Sequence, residues 1–138
     1  MNDRFKFRVW SNKNNIYIVD SHYPIGSDHI IVIRQDGKAY NLGLGDYEDY
    51  SNMHSWAVME EFTDCIIEQC TGLKDKNGNL IYEGDVVLGS SGFNYKIIWS
   101  DMECGWALQN LESKVCIAMN AFTADEIEII GNVHQTKE

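Results

Sequence analysis

Apolar and polar residues alternate in short runs along most of this chain, and such a period of two is typical of β-strands. The first run places three apolar residues on one face and three cations on the other, Phe5, Phe7 and Val9 against Arg4, Lys6 and Arg8. A polar turn over residues 11–15 separates this run from a second strand that begins at Ile16. The start of the chain is therefore predicted to be a pair of strands.

The same pattern predicts further strands before the middle of the chain. Residues 29–33 and 38–42 form two apolar runs, and the Asp-Gly pair at 36–37 predicts a tight hairpin between them. The stretch 43–55 is rich in glycine, tyrosine and acid, has little periodicity, and is predicted to be a loop and module boundary. Residues 55–62 leave two alternatives open, because their large apolar residues have helical spacing whereas a strand fits nearly as well.

Short strands and turns alternate more regularly after Cys65. Strands are predicted over residues 66–70, 79–82, 85–88, 95–99, 105–111, 114–119 and 127–133. The T-x-x-E pattern from Thr123 to Glu126 predicts a short capped turn before the last of these strands. Closely spaced short strands of this kind are typical of a small barrel or sandwich.

The acidic balance of the chain narrows the choice of partners. Its 138 residues carry 11 Lys/Arg and 21 Asp/Glu, which gives a formal net charge of −10. Residues 51–138 hold fourteen of the acids and only five of the bases. Such a field repels nucleic-acid phosphates and argues against a general electrostatic nucleic-acid binder, although it also serves solubility.

Membrane insertion and secretion are not expected. The hydrophobic content of 44% supports a folded core, yet no apolar run reaches the roughly 18 residues that a membrane span needs. The start, Met1 to Arg4, has no apolar segment of the kind found in signal peptides. We therefore expect a soluble, cytoplasmic protein.

The densest group of turn residues is the segment TGLKDKNGNLIYEGDVV, residues 71–87. The Asn-Gly pair at 77–78 fits the central positions of a type I′ turn, and Gly84 suits a bend with positive φ. Asp85 is placed to accept backbone N–H groups at that bend, whereas a functional alternative pairs it with Glu83 for metal or acid–base chemistry. The segment lacks the G-x4-G-K-[ST] pattern of a phosphate-binding loop, so we predict a hairpin and a bend.

The nucleophilic and metal-ligating residues do not form a recognisable site. The cysteines lack C-x2-C spacing and are predicted to be buried free thiols, Cys65, Cys70, Cys104 and Cys116. The histidines are scattered and are predicted to be surface imidazoles, His22, His29, His54 and His134. Three tryptophans are predicted to be core residues, Trp56, Trp99 and Trp106. Because the sequence also lacks a G-x-S-x-G elbow, no catalysis, metal or cofactor is expected.

Three segments carry a family resemblance, namely FKFRVW at residues 5–10, the block at 71–87, and IEIIGNVHQ at 127–135. They resemble the K-F-R-x-W opening, the T-G-L-x-D-K-N-G-x-x-I-Y-E-G-D-x-V core and the I-G-N-[IV]-[HY] ending of the YopX family. Bacteriophages and prophages of Gram-positive bacteria encode most of that family. The resemblance implies a β-rich fold with a barrel-like C-terminal part and an oligomeric state. It implies no activity, because the family has no established biochemical function.

We therefore expect a mainly β protein with two modules. A β-rich N-terminal module is predicted over residues 1–62, followed by a small SH3-like, partly open β-barrel over residues 63–138. The structural signature of the second module is expected at Gly72, Asn77, Gly78, Glu83, Gly84 and Asp85.

The expected function is binding through self-assembly, by an accessory protein of a phage or prophage. The cations Arg4, Lys6 and Arg8 are expected to contact an acidic neighbouring subunit, with a nucleic-acid contact and a solvated strand face as alternatives. A host or phage protein is a further candidate partner. Alternative functions are a nucleic-acid-associated module, by analogy with other small barrels, and an acidic decoy of host DNA-binding proteins.

Overall fold

The computed structural model describes residues 3–18, 29–44 and 57–135. In these ranges the chain forms twelve β-strands, β1 (Phe7–Ser11), β2 (Ile16–Ile18), β3 (His29–Ile33), β4 (Ala39–Leu44), β5 (Ala57–Glu61), β6 (Cys65–Lys74), β7 (Leu80–Tyr82), β8 (Asp85–Leu88), β9 (Asn94–Ser100), β10 (Gly105–Asn110), β11 (Cys116–Ala118) and β12 (Glu128–Asn132). It also forms a 3₁₀ turn, Asp3–Phe5, and one α-helical turn, α1, Ala121–Ala124. Within the same ranges, no helix has the length and apolar character needed to cross a membrane.

The strands from β8 onward form one antiparallel sheet in the order β11-β10-β9-β8-β12. The strands β8 to β11 follow one another as a meander, whereas β12 returns to pair with β8. The sheet curls into a half-barrel. It encloses a core of buried apolar residues, Ile81, Val87, Tyr95, Ile97, Leu108, Ala124 and Ile127. The expectation of a mainly β fold with a partly open barrel is confirmed.

The chain divides into two compact units. The first contains the residues up to Phe7 and those from Glu68 onward, and the second runs from Arg8 to Ile67. In the first unit the Cys70 N–H donates to the Lys6 carbonyl oxygen at 2.8 Å, which ties the N-terminal residues to β6. The sequence predicts a module boundary after residue 62, whereas this division falls within β6 and groups the first residues with the barrel.

The second unit contains a hairpin and a three-stranded sheet. The strands β1 and β2 pair antiparallel, and a separate sheet has the order β3-β4-β5. Because β5 covers Ala57–Glu61, the strand alternative for this segment is correct and the helical one is wrong. The predicted loop begins later than expected, since β4 extends to Leu44, and its remainder, residues 45–55, lies outside the described ranges.

Three hairpins use the same five-residue loop, at residues 34–38, 75–79 and 89–93. In each loop the fourth residue is a glycine that donates its N–H to the carbonyl oxygen of the first residue, at 2.9–3.0 Å. These glycines have φ values of 77°, 82° and 92°, so each loop is a type I turn followed by a left-handed residue. The type I′ prediction at 77–78 is wrong, because Gly78 has a positive φ and Asn77 does not.

The N-terminal run departs from the predicted alternation. Its first residues, Asp3–Phe5, form the 3₁₀ turn, which the Lys6 N–H closes by donating to the Asp3 carbonyl oxygen at 2.9 Å. The strand therefore begins only at Phe7, and Phe5 and Phe7 are 61% and 43% exposed. The apolar face predicted for these two rings is not buried, since Phe5 lies in the turn and Phe7 is exposed at the first position of β1.

The helical turn α1 is capped by a different residue from the one predicted. Asn120 Oδ1 accepts the Thr123 N–H at 3.0 Å and the Thr123 hydroxyl at 3.2 Å. Asn120 is thus the N-cap, a position that favours short polar side chains. A turn from Thr123 to Glu126 is present, since the Glu126 N–H donates to the Thr123 carbonyl oxygen at 3.1 Å, but the predicted cap at Thr123 is wrong because the helical turn begins before it.

Candidate functional site: the signature segments and the open side of the barrel

The middle and closing signature segments meet in the barrel unit. In the pairing of β8 with β12, Asn132 lies opposite Asp85. The Val133 N–H donates to the Gly84 carbonyl oxygen at 2.8 Å, and the Gly84 N–H donates to the Ile97 carbonyl oxygen at 2.9 Å. Gly84 has a φ of 86°, the left-handed conformation that the sequence predicts at this bend. Two segments that are distant in sequence thus form a single structural element.

A buried acid–base pair lies beneath this bend. Nε2 of His134 is 3.0 Å from Oε2 of Glu68, and their side chains are only 3% and 4% exposed. A Cβ atom at residue 84 would overlap the Glu68 carboxylate, so the bend can approach the pair only where the residue is glycine. The pair joins β6 to the C-terminal segment.

The prediction of surface histidines is wrong for His134. Its partner in the pair, Glu68, precedes it by 66 residues, so no local spacing indicates the contact. The signal present in the sequence is Glu68 itself, an acid within the mostly apolar strand segment CIIEQC. His22 and His54 lie outside the described ranges, and the side chain of His29 is not described.

The signature carboxylates at the bend bind backbone groups. Asp85 is buried, and its Oδ2 accepts the Tyr82 N–H at 2.7 Å. Oε1 of Glu83 accepts the Gln69 N–H at 3.4 Å. Among the residues that the structure describes, no group of three or more His, Cys, Asp or Glu is placed to hold a metal ion. These contacts give both carboxylates a role in shaping the bend.

A further signature residue, Asp75, joins the hairpin loop to the last strand. Its Oδ1 accepts the N–H groups of Asn77 and Asn79 at 3.0 and 2.9 Å, and its Oδ2 accepts the Ile129 N–H at 3.0 Å. Burial raises the pKa of this carboxyl, but the hydrogen bonds from Ile129, Asn79 and Asn77 outweigh burial and hold the pKa below its usual value. The folded structure therefore stabilises the ionised form of the Asp75 carboxyl.

Replacing Asp75 by asparagine is expected to lower the free energy of unfolding by about 2 kcal/mol at neutral pH, because an amide cannot accept all three N–H groups. Since the folded pKa lies below the unfolded value of about 3.9, the carboxylate stabilises the fold above that value. The difference between wild type and Asp75→Asn should shrink as the pH falls through the folded pKa. Urea unfolding at several pH values measures it, with the exposed Asp101→Asn as control. A difference that grows on acidification would contradict the assigned role.

The three N-terminal cations do not form one strand face. Nζ of Lys6 pairs with the Asp3 carboxylate at 2.9 Å, and the Arg4 guanidinium lies 4.9 Å from the centre of the Phe5 ring. Arg8 belongs to the second unit, where its guanidinium lies 4.6 Å from the centre of the Tyr17 ring. The exposed N-terminal residues of the first unit mix cations with aromatic rings, and we name them the N-terminal patch, Arg4, Phe5, Lys6 and Phe7.

The N-terminal patch has a fixed backbone. Nε2 of Gln69 donates to the Arg4 carbonyl oxygen at 3.1 Å. A Cβ atom at Gly72 would lie 3.1 Å from Cβ of Arg4, so the glycine permits the 3₁₀ turn to lie against β6. Gly72 also has a φ of 83°, which other residues adopt at a cost. The signature glycine thus helps to place the patch.

The curled sheet leaves an apolar cavity at one side, which we name the barrel mouth. It has a volume of about 170 Å³, and its lining includes four apolar residues, Tyr95, Leu108, Ile117 and Ile127. Its polar lining includes Ser90, Ser91, Thr123 and Glu126. Ile117 is 48% exposed because it lies on β11, an edge strand of the sheet. Three of these apolar residues, Tyr95, Leu108 and Ile127, belong to the buried core, so the cavity lies directly against the core and combines apolar and polar lining as binding sites do.

The second unit contains a larger cavity whose charged residues are already paired. It has a volume of about 570 Å³, and its lining includes Lys38, Glu61 and Asp64. Nζ of Lys38 lies 3.3 Å from the Glu61 carboxylate, and Asp64 accepts a hydrogen bond from Asn12 at 3.3 Å. A ligand in this cavity would therefore meet charged side chains that already interact with other residues of the chain.

The cysteine and tryptophan predictions are correct only in part. Cys70 is buried and Cys65 is half-buried, but Cys104 and Cys116 are exposed in a turn and in an edge strand, so burial is wrong for those two. Trp106 packs against the core, whereas Trp99 is exposed and meets the Trp106 ring edge to face at 5.2 Å. Trp56 lies outside the described ranges.

Known proteins resemble the chain over nearly its whole length. The family model described as YopX protein matches residues 6–138. Protein EF1440 from Enterococcus faecalis is 21% identical, with a TM-score of 0.56, over 94% of this chain and 93% of that one. Protein yopX from Bacillus subtilis is 18% identical, with a TM-score of 0.54, over the same shares of the two chains. No curated protein matches the chain. At these identities the two structures establish a shared fold.

Proposed function

Because the chain belongs to the YopX family, whose model matches residues 6–138, we propose that it acts by binding, through self-assembly, and not by catalysis. The resemblance of its signature segments to phage and prophage proteins supports a role as a phage accessory protein in the cytoplasm of a bacterial host. The proposal rests on one observation, namely the exposed N-terminal patch.

The N-terminal patch has the composition of a contact surface. Phe5 is 61% exposed, and the rings of Phe5 and Phe7 would leave water in a contact with another protein. Aromatic residues and arginine are also the types that most often dominate the energy of an interface. Burial of these two rings would therefore stabilise a contact with another protein. A strand face that stays in water has no such use for exposed aromatic rings.

Charge favours a second copy as the partner. The chain carries a net charge of −10, so the positive side chains of the patch meet an acidic surface on any other copy. A nucleic acid would bind there only if its attraction to the patch exceeded the repulsion between its phosphates and the acidic remainder of the chain. Of the three predicted cations, Lys6 pairs with Asp3 and Arg8 stacks on Tyr17, whereas Arg4 lies against the exposed ring of its neighbour Phe5, so that these two side chains can engage a partner together.

Replacing Arg4, Lys6 and Arg8 together by glutamate is expected to shift the protein toward smaller species, because like charges would then meet at the contact. Sedimentation velocity over a range of protein concentrations measures the shift. The matched control reverses three lysines elsewhere on the described surface, Lys13, Lys76 and Lys96. It changes the net charge equally and should leave the assembly intact.

The nucleic-acid alternative gives a different result in the same experiment. If the patch contacts phosphates, the triple variant loses binding to DNA or RNA while its solution mass stays that of the wild type. About three phosphate contacts would also give a log–log salt dependence with a slope near −3. That outcome would replace self-assembly by nucleic-acid binding as the function of the patch.

A further inference from the structure

We infer that the barrel mouth of one copy receives the N-terminal patch of another, with the Phe5 ring in the cavity and the Arg4 guanidinium beside Glu126. This inference rests on the self-assembly proposed above and names the surface that accepts the patch. It assigns the Phe5 ring of another copy as the ligand of the barrel mouth.

The size and lining of the barrel mouth suit one aromatic ring. Its volume is about 170 Å³, and apolar cavities of about 150 Å³ hold a molecule the size of benzene. Tyr95, Leu108 and Ile127 are buried residues of the barrel core, so a ring that enters the cavity extends that core. Phe5 is 61% exposed, more than Phe93, Trp99 or Phe7.

Charges on the two surfaces are complementary. Glu126 lines the barrel mouth, is exposed, and forms no ion pair within the described part of the chain. Arg4 is likewise exposed, and its guanidinium contacts the Phe5 ring. Because Arg4 directly precedes Phe5, a ring placed in the cavity brings the guanidinium to the rim. An arginine can then pair with Glu126 and donate to the hydroxyl groups of Ser90 or Ser91.

The acceptor is a second copy, because within one copy the N-terminal patch is held against residues that do not line the barrel mouth. The backbone at Arg4 is fixed against β6 by Gln69 and by the close approach of Gly72. Neither of those residues belongs to the lining of the barrel mouth. A contact between two different surfaces is heterologous, and such contacts generate rings or filaments. The assembly should therefore grow with protein concentration until a ring closes.

Two variants test the fit of the ring. Phe5→Ala removes the ring, and Ser91→Trp fills the cavity from its rim, so each should raise the dissociation constant of self-association about 30-fold. Ser113→Trp adds the same ring at an exposed residue outside the lining of the barrel mouth and should associate as the wild type does. Circular dichroism and the unfolding midpoint verify that each variant is folded.

A charge exchange tests the orientation. Arg4→Glu and Glu126→Arg should each weaken self-association about tenfold, and the double variant should recover most of the loss. Recovery requires the two residues to meet, which a general change of net charge does not explain.

The outcomes separate this inference from the proposed function. If the triple glutamate variant dissociates while Ser91→Trp and Glu126→Arg assemble as the wild type does, self-assembly stands and the barrel mouth is not the acceptor. If the wild type remains a monomer at all concentrations, both are overturned. Reduced assembly of Phe5→Ala and Ser91→Trp, together with charge-exchange recovery, supports the assigned contact.

Discussion

Gly84→Val is expected to lower the free energy of unfolding by about 4 kcal/mol, a large share of the roughly 5–15 kcal/mol that stabilises a domain. Two separate causes contribute. Gly84 has a φ of 86°, and a β-branched residue adopts this left-handed conformation at a cost of about 1–3 kcal/mol. In addition, the first side-chain atom would overlap the Glu68 carboxylate and displace it from His134.

A matched variant separates these two causes. Gly78 has nearly the same φ, 82°, but a Cβ atom there meets no atom within 4 Å. Gly78→Val therefore measures the conformational cost alone, about 1–3 kcal/mol. Chemical denaturation followed by tryptophan fluorescence gives both values. Equal losses for the two variants would show that the contact between Gly84 and Glu68 adds nothing to stability.

Local sequence signals predicted the strands and turns of this protein. Short apolar runs bounded by turn residues identified β3 as residues 29–33 and β8 as residues 85–88, as observed. The glycines at 37, 78 and 84 marked positions of positive φ, because such positions impose a requirement on one residue alone. The turn type at 77–78 was wrong because a type I turn with a following glycine uses the same Asn-Gly pair.

Features that depend on residues far apart in the sequence could not be predicted from local patterns. The barrel mouth arises from the curl of the sheet, which no single strand encodes. The pair of Glu68 and His134 joins residues that the chain separates by 66 positions. The N-terminal run alternates as a strand would, but the bond between Lys6 and the Asp3 backbone converts its start into a turn. Each of these features depends on contacts that form only in the folded chain.

The buried pair makes His134 the second position where a single change should have a large effect. His134→Leu is expected to lower the free energy of unfolding by about 3–5 kcal/mol, because it leaves the buried Glu68 carboxylate opposite an apolar side chain. Both side chains are almost completely buried, so water cannot replace the lost imidazole without opening the structure. Urea unfolding measures the loss, and the exposed neighbour Gln135→Ala should change stability by about 0.5 kcal/mol or less.

The double variant shows whether the loss comes from breaking the contact between the two side chains. Glu68→Leu combined with His134→Leu removes both polar groups, so neither one is left opposite an apolar replacement of the other. Replacing both partners of a buried hydrogen-bonded pair by apolar residues of similar volume often costs little, and the double variant should be more stable than His134→Leu alone. A double-variant loss equal to the sum of the two single losses would mean that the two side chains stabilise the fold independently. The bend at Gly84 would then cover two separate polar groups instead of one pair.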